Sequence, residues 1–480
     1  MPTHGTQTHL ARSGWRPTYF ADPGIVRPNQ PEGGRLEDAL GFESALFVPV
    51  TNGSSWFSRK DEKLLPVFWT ASGVRDLLEK LYGSVESAEK DPELLLCMLG
   101  KTVGEEETVV DEGLPPPEDA HTYFLLDFSH KEKEISELCG AATKAEAETA
   151  GGGGKAKNIL KAGLLTASEK MPETKSGDRE AAILSIARGL AAWHRCSVFC
   201  PSCGRKTVSE KFGTCRRCAG EDGEQAEGKE EGAKAGCGRV QYPRQDPAII
   251  TLVSSGPFAL LGRKPRWAAG RYSTLAGFVE IGESIEETVY REVFEEGGVS
   301  CDLSTLRFVA SQPWLFPQSL MIGFHCESAK PPHTSTGESA GASSFEDKAS
   351  EDVPPHMGST AARVRERRGG KLAGVPLMSR GGGWVDLGGE GGGGRMWLPP
   401  TTIEEPDMED VRWFHRDLVE ASFSLSGFGE DGNPRFHFPG RRALARRLIS
   451  DWLDSQKLQQ GGGEDRAVKK QEGENSVDFE

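Results

Sequence analysis

The sequence predicts a mixed α/β (α+β) fold that is divided into more than one domain. Short apolar runs typical of strands recur along the chain, and amphipathic stretches with helical periodicity lie between them. A cluster of cysteines separates the first part of the chain from the second. A length of 480 residues allows two or three domains, each with its own hydrophobic core.

The overall charge limits the classes of partner. The formal net charge of −15 argues against a protein that coats nucleic acid, and it gives no reason to expect binding to an anionic membrane surface. No apolar run approaches the roughly 20 residues of a membrane span, and the first residues lack the apolar core of a secretory signal. We therefore expect no membrane segment and a cytoplasmic location, while a peroxisome, a mitochondrion or a plastid stays open.

Residues 1–195 predict an N-terminal α+β domain. The runs typical of strands are 45–50, 66–70 and 122–128, and those typical of helices are 74–83 and 181–195. The Gly- and Ala-rich stretch 140–157 is low in complexity and predicts a flexible excursion. This region shows no catalytic arrangement of side chains, so we expect it to act as a scaffold or to mediate dimerisation.

Cysteine spacing predicts a metal site after this domain. Six cysteines fall between Cys196 and Cys237. In a chain without a secretory signal, such clustering favours a metal site over a disulfide framework. Cys200 and Cys203 form a Cys-x-x-Cys pair, which suits half of a tetrahedral zinc site. Four thiolates leave no open position for water, so the expected zinc is structural.

Cysteine spacing alone does not decide which residues form the second pair of zinc ligands. Cys215 and Cys218 form a second Cys-x-x-Cys pair, whereas Cys237 follows the acidic, Gly-rich stretch 219–236. The composition of that stretch predicts a disordered insert. Residues 196–243 are therefore expected to hold zinc with Cys218 and Cys237, or with Cys215 and Cys218, as the second pair of ligands.

The stretch Gly277–Val299 predicts a loop followed by a helix that ends at a glycine pair. Ser284 with Glu287 three residues later has the form of a capping box, which begins a helix. Every fourth position is then apolar, which gives the helix one apolar face: Ile285, Val289 and Val293. A Gly-Gly pair at 297–298 ends the helix.

Three acids of this helix predict a site for a divalent cation. Glu292 and Glu296 are four residues apart and share one face, and Glu295 lies beside them. Like charges at this spacing oppose helix formation, but Mg²⁺ reverses that cost because it prefers oxygen ligands and is bound by carboxylates together with substrate phosphates. The simpler alternative is a solvated acidic face.

Residues 244–456 predict a second domain of strands and helices around this helix. The runs typical of strands are 248–253, 258–263, 306–314, 319–327 and 411–414, and a closing helix is expected at 441–453. Gly, Ser and Pro dominate residues 328–401, which predicts a disordered insertion. The polar segment 457–480 predicts a disordered tail.

The glutamate helix and its loop resemble the Nudix box. The matching pattern is Gly277, five residues, Glu283, seven residues, Arg291-Glu292-Val293, one residue, Glu295-Glu296, one residue and Gly298-Val299. The segment SQPWLFPQS at 311–319 resembles the signature of the NADH pyrophosphatase subfamily of Nudix hydrolases. That subfamily also places a four-cysteine zinc module just before a Tyr-Pro dipeptide and the Nudix domain. The matching regions are about 181–327 and 402–456.

This resemblance implies an architecture and a zinc site. A Nudix α/β/α sandwich with a mixed sheet would follow a small zinc ribbon and the N-terminal α+β domain. The subfamily's spacing selects Cys218 and Cys237 as the partners of Cys200 and Cys203, and it leaves Cys215 spare. The subfamily is commonly a homodimer.

The resemblance also implies metal-binding and catalytic residues. Glu292, Glu295 and Glu296 would be the metal-side catalytic carboxylates, while Arg291 and Glu283 would brace the loop. The ligands of Mg²⁺ or Mn²⁺ would be Glu292, Glu296, the backbone carbonyl of Ala276 and Asp407. The subfamily has Glu at the last position, so Glu405 or Glu409 could replace the shorter Asp407. Which carboxylate acts as the base stays open.

Substrate contacts follow from the same resemblance. Tyr242 and Phe278 would be aromatic partners for a base, and Ala445 matches a substrate-contacting alanine. The signature loop would select the nicotinamide-bearing substrate through Gln312, Pro313, Trp314, Phe316, Pro317, Gln318 and Ser319. The alternative for this loop is packing against a hydrophobic core.

The function implied by the resemblance is metal-dependent hydrolysis of the diphosphate of NADH. The products would be reduced nicotinamide mononucleotide and AMP, and NAD⁺, NADPH or the NAD cap of an RNA would offer the same bond. One alternative is a Nudix hydrolase that prefers ADP-ribose or diadenosine polyphosphates. Another, of a different class, is a catalytically silent module that binds nucleotides.

Overall fold

The fold is that of a computed structural model, in which the chain divides into two compact units. The structure describes residues 25–26, 34–42, 44–102, 121–137, 159–219, 236–330, 376–387, 395–423 and 436–473. The first unit is Met1–Asp246 together with Gln312–Leu320, and the second is Pro247–Ser311 together with Met321–Glu480. No helix within these ranges is long and apolar enough to cross a membrane.

An eight-stranded sheet organises the first unit. Its strands are β1 (Ile25–Val26), β2 (Ala45–Thr51), β3 (Ser54–Lys60), β4 (Lys63–Pro66), β5 (Trp69–Thr70), β6 (Leu95–Thr102), β7 (Thr122–Asp127) and β8 (Ile159–Gly163). The order is β1-β6-β7-β2-β3-β4, with β5 beside β2 and β8 beside β3. The β2 and β7 strands run parallel, and the other described pairs are antiparallel.

Five helices accompany this sheet among the elements with defined bounds. They are α1 (Leu36–Leu40), α2 (Ala71–Tyr82), α3 (Val85–Glu89), α4 (Leu164–Ser168) and α5 (Lys175–Cys196). The hydroxyl of Thr174 caps α5 by accepting the backbone N–H of Gly177. The buried face of α5 is rich in Ala and Ile and packs into the core of this unit, as its predicted periodicity requires.

The predicted strands and helices of this unit are confirmed with one difference. The expected strand at 66–70 is divided, since β4 ends at Pro66 and β5 begins at Trp69. Proline has no backbone N–H to donate to a ladder, which favours a strand end at this position. The stretch 140–157 lies outside the described residues.

The cysteine segment forms a separate three-stranded sheet. Its strands are β9 (Thr207–Glu210), β10 (Cys215–Cys218) and β11 (Val240–Gln241), in the order β11-β10-β9. Both pairings are antiparallel. Within the acidic insert, residues 220–235 lie outside the described part of the chain.

A seven-stranded sheet organises the second unit. Its strands are β12 (Asp246–Ser255), β13 (Phe258–Arg263), β14 (Leu275–Phe278), β15 (Cys301–Trp314), β16 (Ser319–Ser328), β17 (Met378–Ser379) and β20 (Asp410–His415). The order is β15-β16-β12-β13-β20-β17, with β14 beside β12. In the sequence between β17 and β20, β18 (Gly383–Asp386) and β19 (Arg395–Leu398) form an antiparallel pair of their own.

Three helices complete the second unit as described: α6 (Ile285–Gly297), α7 (Arg416–Ser422) and α8 (Leu444–Gly473). The apolar face of α6 is buried through Val289 and Val293 in a core that includes Trp413 and Phe258. Burial of this face fixes the rotation of α6, and the rotation decides where its glutamates point.

The structure differs from the sequence-based prediction in the extent of the insertion and of the tail. Residues 376–387 and 395–401 of the expected insertion are described, and β17, β18 and β19 lie within them. The buried side chains of Val385 and Leu398 explain the difference, because even a Gly-rich segment folds where apolar residues find a core. The closing helix continues to Gly473, beyond the expected start of the tail at 457. Residues 331–375, 388–394 and 474–480 lie outside the described residues.

A buried histidine joins α5 to the cysteine segment. His194 Nε2–H donates to the backbone carbonyl of Gly213 at 2.9 Å, and Arg216 Nη1 donates to His194 Nδ1 at 3.0 Å. Burial is the main cause that lowers the pKa of His194 to about 3, and the Arg216 charge adds to it. The imidazole is therefore neutral in the fold.

Replacement of His194 by Gln should reduce the acid sensitivity of the fold. Below pH ~6.5 this histidine binds a proton in the unfolded chain but not in the folded one. As the pH falls below that value, the wild type therefore loses about 1.4 kcal/mol of unfolding free energy per pH unit because of His194. Urea unfolding of both proteins at pH 7, 6 and 5 measures the difference in slope, because all other titrating groups are common to both. Equal slopes would contradict this account.

Candidate active site and cysteine cluster

The glutamate helix begins and ends as the sequence predicts. Ser284 Oγ accepts the backbone N–H of Glu287 at 3.2 Å, and the Glu287 carboxylate accepts the backbone N–H of Ser284 at 2.8 Å. Gly298 ends α6 with φ 68, and its N–H donates to the carbonyl of Phe294 at 2.7 Å. The capping box and the glycine stop predicted from the sequence are therefore confirmed.

Arg291 connects the helix to the loop before it. Its Nε and Nη2 donate to the two oxygens of Glu283 at 2.6 and 2.8 Å, and Nη2 also donates to the carbonyl of Phe278 at 2.9 Å. This bidentate pair confirms the predicted brace. The guanidinium also lowers the pKa of Glu283 to about 2. Arg291 Nη1 reaches the other side and donates to Glu292 at 2.8 Å and Glu295 at 3.0 Å.

Three carboxylates converge beside Arg291. One oxygen each from Glu292, Glu295 and Glu405 lies within 4.8 Å of the others. Burial raises the pKa of Glu292 against the opposing effect of Arg291, and the nearby charges of Glu405 and Glu295 add smaller increases. A set of three close carboxylates supplies the oxygen ligands that Mg²⁺ and Mn²⁺ prefer.

Backbone contacts explain why Glu405 joins this cluster. The N–H groups of Glu404 and Glu405 both donate to the carbonyl of Glu295, at 3.0 and 3.1 Å. This carbonyl lies in the last turn of α6, where it has no partner within the helix. The loop is therefore fixed to the helix end at Glu405, two residues before the predicted ligand Asp407.

Glu296 and Asp407 have a different partner. Lys264 Nζ lies 3.3 Å from Glu296 Oε1 and 2.6 Å from Asp407 Oδ2. The other oxygen of Glu296 accepts the backbone N–H of Ala276 at 2.9 Å. Burial is the main cause that raises the pKa of Glu296 to about 7, against the opposing effect of Lys264. The predicted ligand set of Ala276, Glu292, Glu296 and Asp407 is thus divided between two clusters.

Lys264 is not predicted from the sequence, and Glu405 and Glu409 are predicted only as replacements for Asp407. Lys264 follows β13 directly, and no spacing relates it to the acids of α6, because the sheet brings them together. Glu409 forms an ion pair with Arg263, apart from both clusters. The change from Glu to Asp at position 407 was the visible sign that this part of the site departs from the family pattern.

Gly277 makes room for the carboxylate of Glu292. A Cβ atom at this position would lie 1.8 to 2.0 Å from the carboxyl atoms of Glu292, which is far inside van der Waals contact. The first glycine of the box is therefore required by the acid fifteen residues later, rather than by an unusual backbone angle.

The four predicted zinc-binding cysteines lie together. One sulfur each from Cys200, Cys203, Cys218 and Cys237 lies within 4.8 Å of the others. Cys215 is outside this group and lies in β10 with Cys218. Residues three apart in a strand point to opposite faces, so Cys215 and Cys218 cannot both face one ion. The structure thus groups the thiols as the resemblance implies and leaves Cys215 apart.

The signature loop packs within the first unit. Trp314 and Phe316 are partly buried against its core, and their ring centroids lie 5.0 Å apart. The guanidinium of Arg188 from α5 lies 5.1 Å from the Phe316 ring centroid. Gln312 and Ser319 are buried, whereas Pro317 is exposed. The two aromatic rings thus pack against this core, and the contact of the loop with a substrate stays a prediction.

The other predicted substrate contacts differ in exposure. Phe278 is 59 % exposed and Tyr242 is 67 % exposed, so each presents an aromatic face to solvent. Ala445 is 3 % exposed and packs in the core of the second unit. A small apolar residue on the inner face of α8 allows close helix packing, and its contact with a substrate stays a prediction.

Comparison with known proteins identifies a domain and its relatives. Residues 243–349 match the family model described as NUDIX domain. "NAD-capped RNA hydrolase NudC" of Pseudomonas aeruginosa is 41 % identical over 145 residues, which are 30 % of this chain and 46 % of the relative. "NAD-capped RNA hydrolase NUDT12" of Homo sapiens is 33 % identical over 289 residues, or 57 % of this chain and 58 % of the relative.

The name of a third relative gives a different substrate. "NAD(P)H pyrophosphatase NUDT13, mitochondrial" of Homo sapiens is 40 % identical over 157 residues, which are 32 % of this chain and 39 % of the relative. The chain spans about half the length of the curated relatives it matches. The predicted resemblance to Nudix hydrolases of the NADH pyrophosphatase type and the predicted α+β Nudix fold are confirmed.

Substitution of Gly277 by Ala should destabilise the second unit. The new methyl group must displace Glu292 or the backbone of β14, which costs about 1–3 kcal/mol of unfolding free energy, the usual range for overpacking. Gly383→Ala is the matched control, because no atom lies within 4 Å of a Cβ built there. Denaturant unfolding compares the two variants with the wild type, and equal stability of both would contradict the crowding at Gly277.

Proposed function

Since the chain contains a Nudix domain with NAD-related relatives, we propose that it hydrolyses the diphosphate of NADH to reduced nicotinamide mononucleotide and AMP. The observation that supports this proposal is the convergence of Glu292, Glu295 and Glu405 beside Arg291. NAD⁺, NADPH and the NAD cap of an RNA contain the same scissile linkage and are substrates of the same proposed activity.

The three converged carboxylates would hold Mg²⁺ or Mn²⁺. A bound divalent cation neutralises the diphosphate and acts as a Lewis acid on its oxygens. Glu292 is buried and bonded to Arg291, so it is the fixed member of the set. Glu295 and Glu405 are only half-buried and can reach a water or a substrate. Either of these two carboxylates would accept the proton of the attacking water.

The exposed aromatic rings would recognise the bases of the dinucleotide. Phe278 precedes the glutamate helix, and its carbonyl accepts a hydrogen bond from Arg291, which fixes the backbone that presents the ring. Adenine and nicotinamide are flat, and an aromatic side chain stacks on either. Tyr242 and the signature loop stay predicted contacts of the same substrate.

The four grouped cysteines would hold one structural zinc. Thiolates are the preferred ligands of Zn²⁺ in closed sites, and a set of four leaves no position for a substrate. Zinc therefore supports the cysteine segment and takes no part in hydrolysis. We also propose a homodimer, as in the subfamily that the sequence resembles, and a cytoplasmic location.

The proposed activity is tested by chromatography of the products formed from NADH in the presence of Mg²⁺ or Mn²⁺. Replacement of Glu292 by Gln should lower kcat/KM about a hundredfold or more, because it removes a ligand and a charge from the site. Glu286→Gln is the matched control, since this exposed acid begins the same helix. ADP-ribose and diadenosine polyphosphate in the same assay test the alternative: cleavage of either in preference to NADH would overturn the proposal.

The proposed zinc site predicts a contrast between two neighbouring cysteines. Cys218→Ser should abolish the bound zinc, and Cys215→Ser should retain one zinc ion per chain, because only Cys218 faces the other three thiols. Elemental analysis of the purified variants measures the zinc content. Loss of zinc in Cys215→Ser with retention in Cys218→Ser would contradict the assignment.

A further inference from the structure

The second unit holds a pair of thiols that the proposed activity does not use. Cys301 begins β15 and Cys326 lies near the end of β16, and these two strands are neighbours in the sheet. Both side chains are buried in the same hydrophobic core. The two thiols are in hydrogen-bond contact with each other, and neither belongs to a disulfide. The sulfurs are therefore close enough to react with one another.

The surroundings of the two sulfurs give them different reactivity. Cys326 Sγ lies 3.7 Å from the hydroxyl of Thr305 and 3.4 Å from the carbonyl oxygen of Asp302. The hydrogen bond with Cys301 is the main cause that lowers the pKa of Cys326, against the opposing effect of burial, and Thr305 lowers it further. The same contact and burial raise the pKa of Cys301. Because the thiolate is the nucleophilic form of cysteine, Cys326 is the attacking thiol and Cys301 the one that resolves its product.

The edge of the sheet gives a small reagent a route to this pair. Among the described strands, β15 is the outermost on one side of the sheet. Leu303 and Ser304, which follow Cys301 closely, are exposed. Cys301 is 6 % exposed and Cys326 is 2 % exposed. Local opening of such an edge admits a molecule as small as a hydroperoxide.

We propose that Cys301 and Cys326 are a redox modification site, at which a hydroperoxide converts the two thiols to a disulfide. The Cys326 thiolate attacks one peroxide oxygen, the O–O bond breaks, and an alcohol leaves, or water if the reagent is hydrogen peroxide. The Cys301 sulfur then attacks the sulfenic acid on Cys326, the S–S bond forms, and the S–O bond breaks with release of water. The two sulfurs give two electrons to the peroxide, and the two thiol protons leave in its products.

The disulfide would join the start of β15 to the end of β16. Cys301 follows the helix stop at Gly298 by three residues, so the cross-link fastens the chain directly after the glutamate helix. A cross-link between residues distant in sequence restricts the unfolded chain and stabilises the folded one. Oxidation should therefore stabilise the second unit, and reduction by a dithiol should reverse the effect. This inference does not depend on the proposed hydrolysis.

The test is mass spectrometry of the full-length chain, purified in the presence of zinc, after treatment with hydrogen peroxide, alkylation with iodoacetamide and proteolysis. We expect a pair of peptides linked through Cys301 and Cys326 in the wild type, and loss of the link after reduction with dithiothreitol. Cys196→Ser is the matched control, because it removes an exposed thiol and should leave the link unchanged.

Single substitutions test the separate roles of the two thiols. Dimedone, which reacts with sulfenic acids, should label Cys326 in Cys301→Ser, because serine keeps a hydroxyl donor beside it, and should not label Cys301 in Cys326→Ser. Oxidised wild type should unfold at a higher urea concentration than reduced wild type, whereas peroxide should not raise the midpoint of Cys301→Ser. Cys301→Ala replaces Cys301→Ser if circular dichroism shows that the serine variant does not fold.

Three results would overturn the inference. The first is the absence of a Cys301–Cys326 link in a chain whose exposed Cys196 has been oxidised. The second is dimedone on Cys301 of Cys326→Ser without dimedone on Cys326 of the folded Cys301 variant. The third is a linked chain with the same urea midpoint as the reduced chain. Failure of the proposed function is distinguishable, because none of these measurements uses NADH.

Discussion

The candidate site depends on the contacts of one guanidinium. Glu292 and Glu295 repel each other and repel Glu405, and Arg291 offsets this repulsion by donating to the two helix acids from one nitrogen. Its other nitrogens hold Glu283 and the Phe278 carbonyl. The planar, multidentate guanidinium allows these contacts at once, which a lysine could not provide. The loop and the acids are therefore positioned by the same side chain.

Two cations consequently divide the acids of the site. Arg291 belongs to the cluster of Glu292, Glu295 and Glu405, whereas Lys264 holds Glu296 and Asp407. The first cluster is partly open to solvent, and the second is fixed by burial and by the N–H of Ala276. Two of the three glutamates thus converge with Glu405, and the third forms a buried ion pair with Lys264.

The sequence predicts the local features of this site because they depend on short-range rules. The capping box at Ser284, the glycine stop and the Arg291–Glu283 pair all follow from spacing within one helix and its loop. It does not predict Lys264, which comes from another strand. It also does not predict which of Glu405 and Asp407 lies beside Glu292 and Glu295, because that placement depends on which backbone N–H groups reach the end of α6.

In the remainder of the chain, too, the features that the sequence does not predict are those that depend on the folded structure. Strand alternation places Cys215 and Cys218 on opposite faces, but this placement follows only once the pair is known to lie in β10. The β18–β19 pair was hidden by its Gly-rich surroundings, although Val385 and Leu398 are buried. Ala445, which the resemblance assigns to the substrate, is buried in the core of the second unit, a position that its sequence neighbours alone do not reveal.

The central claim is that α6 and the loop at Glu405 together bind a divalent cation. Anomalous diffraction from a crystal of the chain soaked in Mn²⁺ tests it most directly, because the signal locates manganese independently of the atomic coordinates. The account predicts an anomalous peak adjoining the carboxylates of Glu292, Glu295 and Glu405. The absence of a peak beside these three carboxylates would contradict it.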